Sequence, residues 1–245
     1  MSSLRGGAAA RLDFELLPFG KEAARPGTPD EHDFPRSGPA VDQFLFLLRY
    51  AVLAPSSHNS QPWRARVSDS GIAVYADYTR RLPVADPGDR ELVMSVGAFL
   101  MNLRVAAARF GVACRVEEHY GGEKDRPVAF ASLTPCAPPE KLAAPLGALF
   151  PAVVRRHTNR SPFLATGVPG AVLEELRGIG RASTVSLFLS SDGSLNAEIA
   201  ALVAEADRMR YADPAFRSEL GGWIRPSGSR NRDGIPRAAF GMGGV

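Results

Sequence analysis

Residues 89–110 constrain the fold more than any other stretch. Leu92, Val93, Val96, Phe99, Leu100, Leu103, Ala107 and Phe110 are apolar, and Gly97, Ala98, Ala106 and Ala108 fill much of the remaining surface. Between the ends only Ser95, Asn102 and Arg104 are polar. A helix that is apolar on most of its sides has to be buried, so the rest of the chain must wrap around it. Asp89 stands where an N-cap is expected and Gly111 where a C-cap is. A buried amide at Asn102 needs partners, and a satisfied core group is the favoured role for it over a ligand contact.

The flanking segments supply what could cover this helix. Val41, Phe44, Leu45, Leu48 and Val52 recur at three- and four-residue spacing, giving a helix from Pro39 to Ala54 that Pro55 stops. Strands are expected at Arg64–Val67 and Ile72–Tyr75 around the turn Asp69-Ser70-Gly71, and again at Val112–Glu117 and Val128–Leu133. A polar turn is expected at Gly121–Asp125. Helices follow at about Pro139–Arg156, Ala171–Gly178 and Leu195–Tyr211, with a strand at Thr184–Leu189. Ser194 or Asp192 would cap the last helix. From Asp213 onward Gly, Arg and Pro accumulate, and Gly221–Val245 reads as a mobile loop or flap. Mixed helices and strands without regular βαβ alternation indicate an α+β fold rather than a Rossmann domain.

Composition removes several function classes. The chain has 245 residues, ordinary apolar (45%) and charged (22%) fractions, and a net charge of +3, too small to imply nucleic acid. Its two cysteines, Cys114 and Cys136, lie in no metal-ligand spacing, so no disulfide framework or structural zinc is expected and a cytoplasmic location is the default. No run of 18 apolar residues predicts a membrane span, and no signal-peptide pattern opens the chain.

Two stretches could carry chemistry. Pro55-Ser56-Ser57-His58-Asn59-Ser60-Gln61-Pro62-Trp63 joins a helix to a strand and combines turn formers, hydroxyls, amides and an aromatic anchor. Ser56, Ser57 and His58 do not make a hydrolase, because adjacent serine and histidine side chains face apart and no G-x-S-x-G elbow exists. About a hundred residues later, Arg156, Thr158 and Arg160 alternate. In an extended segment such residues share a face, and two guanidinium forks with a hydroxyl suit a phosphate. A basic surface turn is the plainer alternative. Gly178-Ile179-Gly180 only weakly echoes a dinucleotide fingerprint, between a helix and a strand, which is the wrong context. Arg225, Arg230, Arg232 and Arg237 face a single acid, Asp233, as a solvated loop or as a lid over an anionic ligand.

Together these stretches resemble the flavin-dependent nitroreductase family. Residues 55–63 are similar to its P-S-S-x-N-x-Q-P-W loop, Arg156–Arg160 to its R-x-S-x-R/K segment with Thr for Ser, and the helix around Gly97–Ala107 to its central helix, which normally lies at the dimer interface. The Arg segment ordinarily precedes the loop; here it follows. That order resembles the fused, Acg-type branch, in which two degenerate halves of one chain imitate the dimer. Leu82-Pro83-Val84-Ala85-Asp86-Pro87 and Thr158–Phe163 also fit that branch. The branch usually continues beyond the length of this chain, so either a short member or part of a longer protein is expected.

The resemblance implies a nitroreductase-like α+β fold: a mixed β-sheet flanked by helices, with two halves forming an intrachain pseudo-dimer. Expected divisions are an N-terminal arm at 1–38, a first half at 39–138, and an incomplete second half at 139–245 with a lid-like segment at about 213–240. It implies non-covalent FMN, with Arg156, Thr158 and Arg160 on the phosphate and Ser56, Ser57 and Asn59 near the ribityl chain or ring. Gln61 and Trp63 would brace the loop, and no side chain would be catalytic. The implied activity is NAD(P)H-driven reduction of nitroaromatics, quinones or a related small-molecule acceptor. No nucleic acid, membrane or metal partner is implied, and the protein would be a monomer with an internal pseudo-two-fold axis or a weak homodimer. Two alternatives stay open: a lid-closed FMN-sequestering protein without turnover, and a non-flavin phosphate- or nucleic-acid-binding protein.

Overall fold

The computed structural model describes residues 30–119, 125–135, 144–160, 162, 164, 166–181 and 185–240. Its described helices are α1 (Ala40–Ala51), α2 (Arg90–Phe110), α3 (Ala144–Gly147), α4 (Phe150–Arg155), α5 (Gly170–Arg181), α6 (Gly193–Ala212) and α7 (Pro214–Trp223). Its strands are β1 (Trp63–Ser68), β2 (Gly71–Ala76), β3 (Val112–Glu118), β4 (Ala129–Pro135), β5 (Ile224–Arg225) and β6 (Ile235–Pro236). The expected Gly121–Asp125 turn lies almost wholly outside the described residues, as do residues 139–143 of the expected helix before Arg156.

Strands β1 to β4 form one sheet in the order β1-β2-β4-β3, with every pairing antiparallel. Among the described residues, parallel pairing occurs only in the separate β5–β6 ladder. The described sheet is therefore antiparallel rather than the mixed sheet expected, because β1 and β2 are joined by a tight turn, and β3 and β4 by a short connection. Antiparallel strands can be joined in this way, whereas parallel ones need a crossover.

Helix α2 lies at the centre, packed against α1, the sheet, α3 and α4. Val96, Phe99 and Leu103 from α2 meet Phe44, Leu47 and Leu48 from α1 and Ile72, Val74, Ala129 and Ala131 from the sheet in one buried cluster. Phe34, Phe46, Tyr50, Phe110 and Phe150 close one end; Phe34 stacks on Phe110 at 4.6 Å, and Tyr50 meets Phe150 edge-on at 4.8 Å. Burial, aided by the Glu31 carboxylate, pushes the Tyr50 phenol up to about 12. Asn102, half-buried, donates from Nδ2 to Tyr50 O at 3.4 Å. By length and hydropathy α2 could cross a membrane, but half of its apolar window is buried inside the fold, as in a core helix.

The α2 N-terminus departs from simple capping. Asp89 occupies the N-cap position with φ 54 and makes no side-chain cap bond. Asp86 does that work from further back, its Oδ2 accepting from Leu92 N at 2.9 Å. Gly111 closes the helix with φ 73, as expected for a C-cap glycine.

Chain contacts divide the molecule into two compact units: residues up to Thr158 together with Glu219 onward, and Asn159–Ser218. In the second unit, neither α5 nor α6 has a buried residue. Asp192 caps α6, its Oδ1 accepting from Ser194 N at 2.8 Å and Leu195 N at 3.0 Å. The strand expected at Thr184–Leu189 is not formed over 185–189. Val185 and Phe188 stand exposed there, so the stretch lacks the buried face that a half-buried strand presents.

The segment after Asp213 is more ordered than its composition suggested. Asp213 Oδ1 accepts from Ala215 N at 2.8 Å ahead of Pro214 at the first helical position, a helix-start signature. Glu219 on α7 accepts from Val84 N at 3.0 Å and Ala85 N at 2.8 Å, and Leu220 and Ile235 are buried.

Candidate functional site

The loop after α1 is built from unusual backbone. His58, Asn59 and Gln61 have φ of 53, 52 and 52. Left-handed conformations cost non-glycine residues of order 1 kcal/mol or more each and persist where surroundings over-determine them. The surroundings here are specific. Gln61 N donates to Ser56 Oγ at 2.9 Å, and Arg80 donates to Ser60 O at 2.7 Å. Trp63, 4% exposed, packs its ring on Phe99 at 5.3 Å, so the aromatic anchor is seated on α2.

A distant segment completes the brace. Asn59 donates both amide protons to it, to Arg232 O at 2.8 Å and Gly234 O at 3.0 Å. Gln61 Nε2 also reaches Arg232 O at 2.8 Å, and Gly234 N returns a bond to Asn59 O at 3.0 Å. Asp233 holds this segment through Arg80 at 3.0 Å and Arg225 at 3.0 Å. Arg225 is thus an anchor rather than part of a solvated basic loop. Gly234 is required here: its φ is +79, and a Cβ would lie 2.4 Å from Trp223 O.

Asp233 is 13% exposed, between guanidinium groups that are 15% and 18% exposed. Asp233→Asn is expected to loosen the 232–236 segment by about 3 kcal/mol, because two shielded cations lose their shared counter-charge. Hydrogen exchange at the Gly234 amide, which should accelerate accordingly, checks this; unchanged protection would contradict it.

Beside the loop lies a pocket of about 700 Å³, lined by Pro55, Ser56, Ser57, Asp86, Arg90, Glu91, Met94, Ser95 and Ala98. One wall is the loop and the other is the first turns of α2. The Ser57 hydroxyl donates to a Glu91 carboxylate oxygen, and Ser95 Oγ donates to Glu91 O at 2.7 Å. Met94, Pro55 and Ala98 supply apolar surface. The volume falls within the ~300–1,000 Å³ of small-molecule sites.

The structure brings together some of the sequence-derived candidates. Ser56 and Ser57 line the pocket. Arg156, where the chain leaves α4 with ψ 130, donates from Nη2 to Leu53 O at 3.3 Å, two residues before Pro55. Asn59 is turned to the 232–234 segment and retains only Oδ1 for another partner. Thr158 is exposed in the first unit and Arg160 in the second. Glu91, Arg80 and Asp233 had no sequence signal as site residues; Arg80 and Asp233 lie 153 positions apart. Asp86 was visible only inside the L-P-V-A-D-P stretch. Burial pushes the Cys114 thiol up to about 11, which leaves little thiolate at neutral pH. No group of side chains suited to a metal ion occurs among the described residues.

No protein-family model matches the chain. Among curated proteins it is 30% identical over 200 residues to "Putative NAD(P)H nitroreductase acg" of Mycobacterium tuberculosis, covering 82% of this chain and 59% of that protein. It is 31% identical over 192 residues to "Putative NAD(P)H nitroreductase Rv3131" of the same organism, covering 78% of the chain and 54% of the relative. A third relative, "Uncharacterized protein Rv3127", is 27% identical over 190 residues, covering 74% and 54%. The chain thus spans somewhat over half the length of the curated relatives it matches. The aligned share is far larger than the loop and the arginine segment together, and on that ground the chain belongs to the nitroreductase family.

Proposed function

We propose that this chain binds FMN and works as a nitroreductase-type oxidoreductase, using NAD(P)H to reduce nitroaromatics, quinones or a related acceptor. The observation that carries this reading is the pocket walled by Ser56 and Ser57, with the Arg156 guanidinium held at the base of the same loop. Apolar surface and hydroxyls suit a flavin ring and ribityl chain, and a guanidinium suits its phosphate, so the residues present fit FMN. FMN would supply the electron-transfer chemistry when bound. The chain's own residues would position and shield: Arg156, Thr158 and Arg160 on the phosphate, Ser56 and Ser57 on the ribityl chain or ring, and Asn59 through Oδ1. No acid or base is required of the protein. The two halves, divided near residue 138, would form an intrachain pseudo-dimer in which 213–240 serves as the lid.

A second reading, FMN sequestration without turnover, is favoured by one observation. The 232–234 segment is hydrogen-bonded onto the loop through Asn59 and Gln61, as a closed lid would be. Anaerobic mixing of the FMN-loaded protein with NADPH or NADH separates the readings. Bleaching near roughly 450 nm, where oxidised flavin absorbs, is the expected result. Persistent yellow colour with both donors would leave sequestration as the function.

A further inference from the structure

We propose that Glu91 fixes Ser57 as a hydrogen-bond acceptor toward a ligand, opposite in polarity to Ser56, which the Gln61 amide leaves free to donate. The proposal rests on the FMN reading above and assigns Glu91 a positioning role within it.

A serine hydroxyl has one proton and two acceptor sites, and an ionised carboxylate only accepts. The Ser57 proton goes to Glu91. What Ser57 still offers the pocket is lone-pair density. Ser56 is arranged the other way: its Oγ already accepts from Gln61 N at 2.9 Å, so its proton remains available. Asn59 cannot add a donor, because both its amide protons go to Arg232 O and Gly234 O. Two adjacent serines of identical chemistry therefore present opposite polarity.

Glu91 is fixed for this task. It lies in the first turn of α2, and Ser95 Oγ donates to its backbone oxygen at 2.7 Å. Buried Asp86 lines the same pocket. A ligand edge that fits places an acceptor against Ser56 and an N–H or O–H donor against Ser57. Imides and polyols have such edges. A phosphate or carboxylate does not, since it would meet Ser57 lone pairs with the Glu91 charge behind them. The wall thus orients a flavin: its ring or ribityl groups face the serines, and its phosphate is turned away from Glu91.

The test is an FMN titration followed by fluorescence quenching on the full chain, with thermal melts to verify folding. Glu91→Gln allows the side-chain amide to donate to Ser57 and so releases the enforced polarity. It should raise the FMN Kd about tenfold, and Ser57→Ala should do the same. Because Glu91 acts through Ser57, the double variant should be no weaker than either single one. Ser57→Thr, which keeps the hydroxyl, should bind as the unsubstituted chain does. Additive losses, or no loss in either single variant, overturn the proposal while leaving the FMN reading standing. If Glu91→Gln does not fold, the contrast between Ser57→Ala and Ser57→Thr decides: equal affinities overturn it. Failure of the unsubstituted chain to bind FMN overturns both this proposal and the reading beneath it.

Discussion

Replacing Arg156 and Arg160 together by alanine is expected to abolish FMN binding while the fold survives. A hydrogen bond to a charged group contributes about 1.5–3 kcal/mol. Loss of two such partners corresponds to about 3–6 kcal/mol, or a fall of about 10²- to 10⁴-fold in affinity. Both side chains are exposed, and surface substitutions of this kind usually change stability by about 0.5 kcal/mol or less. Arg156→Lys should fall between, since it keeps the charge but not the two-pronged donor geometry. A folded double variant that still carries stoichiometric FMN would mean that the phosphate lies elsewhere.

Phe99→Ala is expected to cause the largest loss of stability, about 3–5 kcal/mol. Phe99 is 1% exposed at the centre of α2, and its ring lies 5.3 Å from that of Trp63 at 33°. Truncation removes core packing and the wall on which the loop's aromatic anchor rests. Urea unfolding should show a lower midpoint with an unchanged slope. FMN affinity should fall as well, because the strained residues His58, Asn59 and Gln61 depend on both ends of the loop being held. A loss under about 1 kcal/mol would mean that Trp63 is seated by other contacts.

The sequence disclosed the parts of the fold that rest on periodicity. The continuous apolar surface of residues 92–110 placed α2 in the core, and the alternation around Asp69-Ser70-Gly71 gave the β1–β2 hairpin. It failed where a partner decides the outcome. Residues 185–189 have strand composition, but Val185 and Phe188 stay exposed and no strand forms there. Composition assigns no element to 214–220 and reads Gly221 onward as a loop, although Asp213 and Pro214 carry a helix-start signal for Pro214–Trp223. The same limit applies to the site. Ser56 and Ser57 stood out through their dense local motif. Glu91 did not, since one acid at a helix start is common and only folding brings it to Ser57. The Arg80–Asp233–Arg225 brace joins residues far apart in the chain, and nothing local marks such a pairing.

The proposal that this chain binds a flavin rests on the Ser56–Ser57 wall and the Arg156 guanidinium. Its most direct test is to saturate the purified protein with FMN, remove the excess, and read the visible spectrum against protein concentration. One bound FMN per chain, absent from the Arg156→Ala, Arg160→Ala variant, is the predicted result. A colourless protein, or equal flavin in both proteins, would contradict it.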